Sequence, residues 1–149
     1  MKTENPNLYR VAIVGAATLK GKELKEVLEE RNFPAVEIRL LDDDESLGQL
    51  ERVRDEVSFV QPVTRDQLRG MDFTFFASDE KFTSANWKLA RESGCAIVDL
   101  SYALAEESGA PVCAPWIERE LGQHTQLNLE SNSIAIAHPA ATALALLLA

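Results

Sequence analysis

The chain has 149 residues, enough for one domain with its own core, and its 46% apolar and 26% charged residues are the balance of a globular protein. A formal net charge of −9 argues against non-specific nucleic-acid binding and against an anionic membrane surface. Cys95, Cys113, His124 and His138 stand at no metal-ligand spacing, so no metal site is expected.

The N-terminus, M-K-T-E-N-P-N-L-Y, is polar and has no signal-peptide pattern, so residues 1–9 read as a loose tail. The longest apolar run, Ala140 to Ala149, falls short of the roughly 20 residues of a membrane helix. A cytoplasmic location is expected.

Arg10 to Val14 is apolar enough for a strand buried on both faces. It runs through Val11 to Gly21, V-A-I-V-G-A-A-T-L-K-G, which reads as strand, tight turn and helix start. The helix is expected from Leu19 to Arg31. Leu24, Val27 and Leu28 would face inward and Lys22, Lys25, Glu26 and Glu29 outward, with Asn32-Phe33-Pro34 as the stop. Val36 to Leu41 is the second strand, followed by the acidic run Asp42-Asp43-Asp44-Glu45.

Glu56 to Val60 reads as a short strand, and Thr64-Arg65-Asp66-Gln67 as a capping box opening a brief helix. Asp72 to Ala77 is a buried strand, Ser84 to Ser93 a helix stopped by Gly94, and Cys95 to Asp99 the next strand, with Cys95 a small core residue. Tyr102 to Pro111 is a polar loop with a helical turn. Cys113 to Trp116 leads into a short helix, Ile117 to Leu121. Ser133 to Ala137 is the last strand, His138-Pro139 turns the chain, and Ala140 to Ala149 is an apolar helix. Strands alternating with helices predict an α/β fold: a Rossmann-like, doubly wound, mostly parallel sheet with helices on both faces. A terminal helix with no polar face reads as cut, so residues 10–149 are expected to be one domain of a longer two-domain chain.

In such a sheet a dinucleotide's phosphates sit on the first helix N-terminus. Gly15, Ala17, Thr18, Leu19 and Lys20 are therefore the expected cofactor cradle. The usual three glycines are reduced to Gly15 and Gly21, because Thr18 takes the middle position. Its side chain would crowd a pyrophosphate, and its hydroxyl would cap the helix and occupy an N–H that phosphate would use. Lys20 is the cation of the turn, read first as a solvated helix-start residue and second as a phosphate contact. The run Asp42–Glu45 is first a solvated turn. In its functional reading Asp42 and Asp43 accept the ribose hydroxyls of NAD and repel the 2′-phosphate of NADP.

With these segments placed, the sequence resembles the N-terminal NAD(P)-binding domain of aspartate-β-semialdehyde dehydrogenase, as a divergent member. The resemblance runs from about Arg10 to Leu148. It is most specific at V-L-E-E-R-N-F-P, Val27 to Pro34, and E-I-R-L-L, Glu37 to Leu41. Ser46, Gly48, Asp72, Phe76, Gly94-Cys95, Val98-Asp99, Ser101, Ala103 and Pro115 support it.

The resemblance implies reductive dephosphorylation of β-aspartyl phosphate with NADPH, through a cysteine thioester. That cysteine lies in a motif like N-P-N-C-S-T, which here is His138-Pro139-Ala140-Ala141-Thr142-Ala143, so Ala141 stands at the nucleophile position. A methyl group cannot attack a carbonyl, and a His138–Thr142 pair is the weak substitute. The glycine pattern G-A-T-G-x-V-G becomes Gly15 to Gly21. The small turn near the nicotinamide becomes Ala77-Ser78-Asp79-Glu80. The arginine for the 2′-phosphate becomes Glu45. N-S-S-x-F-R becomes Leu100 to Ala105, without its arginine, and P-E-V-N becomes Pro115 to Glu118.

The reading that follows is a semialdehyde-dehydrogenase-like NAD-binding domain without catalytic residues, acting by binding or assembly as a homo-oligomer or with a partner through a second domain. An alternative is an NAD-dependent oxidoreductase whose altered chemistry is completed by a C-terminal domain. A third is a ligand-binding module whose acidic rim prefers a neutral or cationic ligand.

Overall fold

Val11, Ala12, Ile13 and Val14 are all fully buried, as a strand covered on both faces requires. The computed structural model describes residues 8–54, 56–106, 110–122 and 133–148. The expected tail up to residue 7, the middle of the 102–111 loop, His124 and Ala149 lie outside the described residues.

The elements in chain order are β1 (Tyr9–Val14), α1 (Leu19–Glu30), β2 (Ala35–Asp42), β3 (Leu50–Val53), β4 (Glu56–Phe59), β5 (Gln61–Pro62) and α2 (Arg65–Leu68). They continue as β6 (Phe73–Phe76), α3 (Glu80–Glu92), β7 (Ala96–Asp99), β8 (Val112–Cys113), α4 (Pro115–Glu120), β9 (Ser133–Ile136) and α5 (Pro139–Leu148). Seven strands form one sheet in the order β5-β2-β1-β6-β7-β9-β8. Every pairing in it is parallel. β2 lies on one side of β1 and β6 on the other, so the winding direction reverses there, with the topological switch point between β1 and β6.

Two apolar layers sandwich the sheet. Val11, Ile13, Leu28 and Leu40 pack on the α1 side, and Ala12, Val14, Phe76, Trp87 and Ile97 on the α3 side. The alternation along β1 is the period-two consequence of strand geometry. α1 meets the sheet closely because residue 21 is glycine. A Cβ there would overlap the Gly15 carbonyl oxygen and lie 2.9 Å from Ala16 Cα.

The structure departs from the sequence reading in several places, among them strand β5 and the start of α4 at Pro115. Leu50–Val53 is a strand, paired antiparallel with β4 in a separate hairpin. That hairpin docks on α1, so Lys25 is not a solvated lysine: its side chain is only 12% exposed and bonds Glu51 Oε2 at 2.8 Å. Glu29 likewise accepts from the Arg54 N–H at 2.7 Å. Val27 is the reverse case, 49% exposed rather than inward, because Gly21, Leu24 and Leu28 form the packed face of α1. α3 starts at Glu80, four residues earlier than expected, because the Asp79 carboxylate accepts from the Phe82 N–H at 2.8 Å and caps it. Along α5, Leu144 is 58% and Leu147 82% exposed. Thr64 does cap α2, accepting from the Gln67 N–H at 3.2 Å.

Candidate functional site

The turn after β1 lies at the carboxyl end of the sheet, beside the switch point, where open α/β sheets place their ligands. Gly15 has φ +86°, and a Cβ there would overlap the backbone nitrogen of Ser78. Glycine is thus required on two grounds, conformation and contact. The N–H groups of Gly15 and Ala16 both donate to the Leu41 carbonyl, at 2.9 and 3.2 Å, and moor the turn to β2.

Thr18 caps α1 as its sequence position implied. Its Oγ1 accepts from the Gly21 N–H at 3.0 Å. The same hydroxyl donates toward the Gly15 carbonyl at 2.8 Å and the Ala77 carbonyl at 3.0 Å. One side chain therefore both takes a helix-start N–H and stitches the turn to the end of β6. Leu19 opens the helix with its side chain 74% exposed.

Asp42 is in place but differently engaged from a free ribose acceptor. It is only 6% exposed. Its Oδ2 accepts from the Ala17 N–H at 2.7 Å and its Oδ1 from the Asp43 N–H at 2.9 Å. The carboxylate at the end of β2 is thus part of the turn itself. Asp43 is exposed, its Oδ1 accepting from the Ser46 N–H at 3.2 Å. Together they edge a cavity of about 360 Å³ with Pro62, Val63, Phe82 and Asn86. The apolar walls and acidic rim suit a base and its ribose diol. Phe82 is not legible as a site residue because α3 begins four residues earlier than the sequence pattern predicts, the cap at Asp79 being the usable signal, and Asn86 is not because only the packing of α3 beside β2 and β5 brings it to the cavity.

Lys20 is exposed, as a helix-start lysine is expected to be, and its amine is engaged within the chain. Its Nζ donates to the Ser78 carbonyl at 3.0 Å and the Leu100 carbonyl at 3.3 Å, and lies 5.7 Å from the centroid of the Tyr102 ring. It therefore spans the ends of β6 and β7. Ser78 adds a buried side-chain bond, its Oγ 2.9 Å from Thr83 Oγ1.

Asp99 shapes the loop beyond β7. It is fully buried, and Oδ1 accepts from the N–H and the hydroxyl of Ser101 at 2.7 and 2.6 Å while Oδ2 accepts from the Leu104 N–H at 2.8 Å. These bonds hold Tyr102 at φ +70°, a conformation that costs a bulky residue energy. Its ring meets His138 with centroids 4.8 Å apart.

Ala141 lies exposed in the first turn of α5. The His138–Thr142 pair does not form. Thr142 Oγ1 donates to the His138 backbone carbonyl at 3.3 Å, and His138 Nδ1 accepts from the Ala140 N–H at 3.1 Å. Cys95 and Cys113 are both buried. Cys95 bonds the Leu68 carbonyl, and burial pushes its thiol above the ordinary value. Among the described residues no group of His, Cys, Asp and Glu could hold a metal, and no helix is long and apolar enough to cross a membrane.

A larger cavity, about 500 Å³, lies between β2 and β4 and is lined by Glu37, Arg39, Arg54 and Glu56 among others. Another, of about 300 Å³, is lined by Lys20, Leu24, Leu100, Tyr102, Ala137 and Pro139; the 360 Å³ cavity is the one edged by the acidic end of β2, which makes it the candidate ribose site.

Residues 10–124 match the family model described as semialdehyde dehydrogenase, NAD binding domain. The chain is 32% identical over 139 residues to a USG-1 protein homolog of Pseudomonas aeruginosa, covering 93% of this chain and 41% of that protein. It is 34% identical over 122 residues to an aspartate-semialdehyde dehydrogenase of Synechocystis, covering 81% of this chain and 36% of that enzyme. In fold it is similar to the crystal structure of aspartate semialdehyde dehydrogenase II from Vibrio cholerae complexed with ASA, with a TM-score of 0.80, 24% identity, and coverage of 95% of this chain and 45% of that one. The chain spans about two fifths of the length of these curated relatives.

Proposed function

Because the chain belongs to the semialdehyde dehydrogenase NAD-binding domain family, we propose that it is a member that keeps the nucleotide crevice and lacks the covalent chemistry, so that it acts by binding and assembly. The observation that carries this reading is Ala141. It sits exposed at the start of α5, at the position the resemblance gives to the nucleophile; the neighbouring Thr142 hydroxyl is bonded to the His138 carbonyl, and Cys95 and Cys113 are buried. When bound, NAD would supply hydride exchange. Toward it, this chain offers the exposed Asp43, beside an Asp42 already engaged by the turn, for the ribose diol, and the start of α1, one of whose N–H groups Thr18 takes, for phosphate. A 2′-phosphate would meet the carboxylates of Asp42 to Glu45, which favours NAD over NADP.

The exposed Leu144 and Leu147 of α5 support assembly, being covered by a second copy or a second domain. A cytoplasmic location fits this reading. The test is a turnover assay of the 149-residue chain with aspartate semialdehyde, phosphate and either NAD or NADP, with mass spectrometry for an acyl adduct. No turnover and no adduct are expected; either one overturns the reading.

A second reading, an NAD-dependent oxidoreductase without a covalent intermediate, is favoured by the intact carboxylate pair at the end of β2. It predicts NAD-dependent oxidation of the aldehyde with no adduct.

A further inference from the structure

We propose that this chain pairs with a second copy of itself, each copy laying its α5 in an open apolar groove beside α1 of the other. The proposal deepens the assembly part of the reading above and rests on it.

An all-parallel sheet needs apolar cover on both faces. The half formed by β6, β7 and β9 has full cover on one face only. Phe76, Ile97 and Ala135 point to the α3 side and are fully buried. The alternate residues Phe73, Phe75, Ala96, Val98, Ile134 and Ile136 point to the α1 side and are only half-buried. Phe75, Val98 and Ile134 stand in register across the three strands. All six are apolar, in a chain with 26% charged residues. α1 forms the wall of this groove. Where α1 faces the carboxyl end of β9 there is an open cavity of about 300 Å³, with Leu24, Val27, Ile136 and Pro139 in its lining and one charge of each sign, Lys20 and Glu23.

The cover must be apolar, without net charge, and about as long as a four-residue strand, ~13 Å. α5 has that form: P-A-A-T-A-L-A-L-L-L, ten residues without a charge, about 15 Å long. Every described side chain from Pro139 to Leu147 except Thr142 is exposed, so α5 does not fill the groove of its own copy. A helix apolar all round belongs in a buried setting. Each copy therefore carries both an unfilled groove and an unburied helix, and a twofold axis satisfies both at once. A helix about 15 Å long and 10 Å across in each groove would bury roughly 950 Å² over the pair, the size of a weak, reversible dimer. The net charge of −9 on each copy opposes contact elsewhere on the surface, whereas groove and helix are each neutral.

Sedimentation of the 149-residue chain from about 1 to 100 µM tests this, with circular dichroism as the fold control. A dimer with a micromolar Kd is expected. Leu147→Lys on the helix and Val27→Glu on the groove wall, at positions 82% and 49% exposed, are each expected to raise that Kd at least about tenfold. A bis-maleimide linker added to a mixture of Leu147→Cys and Val27→Cys chains is expected to join one to the other, since Cys95 and Cys113 are buried. A chain that stays monomeric throughout leaves the face to another cover and overturns the proposal. A dimer unaffected by either substitution also overturns it. Leu147→Cys chains that link to one another as readily as to Val27→Cys chains would place α5 against α5 and overturn it as well. Turnover or an acyl adduct, which removes the non-catalytic reading, leaves this proposal standing.

Discussion

Replacing Asp42 by asparagine tests whether the end of β2 holds the glycine turn. The change preserves shape and removes one charge. Asparagine keeps a single acceptor oxygen, so one of the two N–H groups, of Ala17 at 2.7 Å or Asp43 at 2.9 Å, must face an NH2 donor instead. Loss of a hydrogen bond to a charged group at a site only 6% exposed is expected to cost about 1.5–3 kcal/mol. Relief of repulsion among Asp42 to Glu45 works in the opposite direction. Asp43→Asn provides the correction, because it removes the same charge from an exposed neighbour and should change stability by less than about 0.5 kcal/mol. In a chain of this size the difference corresponds to about 4–10 °C in the unfolding midpoint. Urea and thermal unfolding of the three proteins give the answer. If Asp42→Asn is as stable as Asp43→Asn, Asp42 does not moor the turn and its geometry carries no energy.

Acid stability has a specific contributor in Glu51, whose carboxylate is held below its ordinary value of 4.5 by the bond to Lys25, against an opposing effect of burial. A carboxylate depressed in the folded state contributes stability above its unfolded value and loses it as the pH falls through its folded one. Glu51→Gln should therefore lower the urea midpoint at pH 7 and flatten its decline below about pH 4.5; an unchanged pH profile would refute the pairing. Burial predicts that neither Cys95 nor Cys113 reacts with iodoacetamide at pH 8 until the chain unfolds, whereas Ala141→Cys gains one rapidly alkylated thiol; intact-mass measurement over time distinguishes them, and a buried A141C thiol would contradict the exposed start of α5. If α5 mediates self-association, Leu147→Lys should shift the chain toward monomer in sedimentation at micromolar concentration; an unchanged distribution would remove the helix from the interface.

The architecture was legible because it depends on local patterns. Unbroken apolar runs at Val11–Val14 and Ile134–Ala137, breakers at Asn32–Pro34 and Gly94, and the cap at Thr64 each specify an element with little help from elsewhere. Reading failed where an element takes its identity from its neighbour. Leu50–Val53 is a strand only because it pairs with β4, and Lys25 is covered only because that hairpin lies on α1. Neither pairing leaves a periodic trace in sequence.

At the site the division is similar. Gly15, Thr18, the acidic run and the alanine at 141 are visible in sequence because each is an identity at a fixed distance from a strand end. What each does with its atoms is decided by chains of contact between distant segments. Asp42 turns 25 residues back to Ala17, and Lys20 reaches 58 and 80 residues forward to Ser78 and Leu100. The sequence by itself determined that a parallel sheet would form and that its first turn carries a threonine and a lysine where glycine and valine are expected. Only the tertiary structure decided that these side chains are bonded to the ends of β6 and β7, because that follows from the order in which the sheet brings those ends beside the turn.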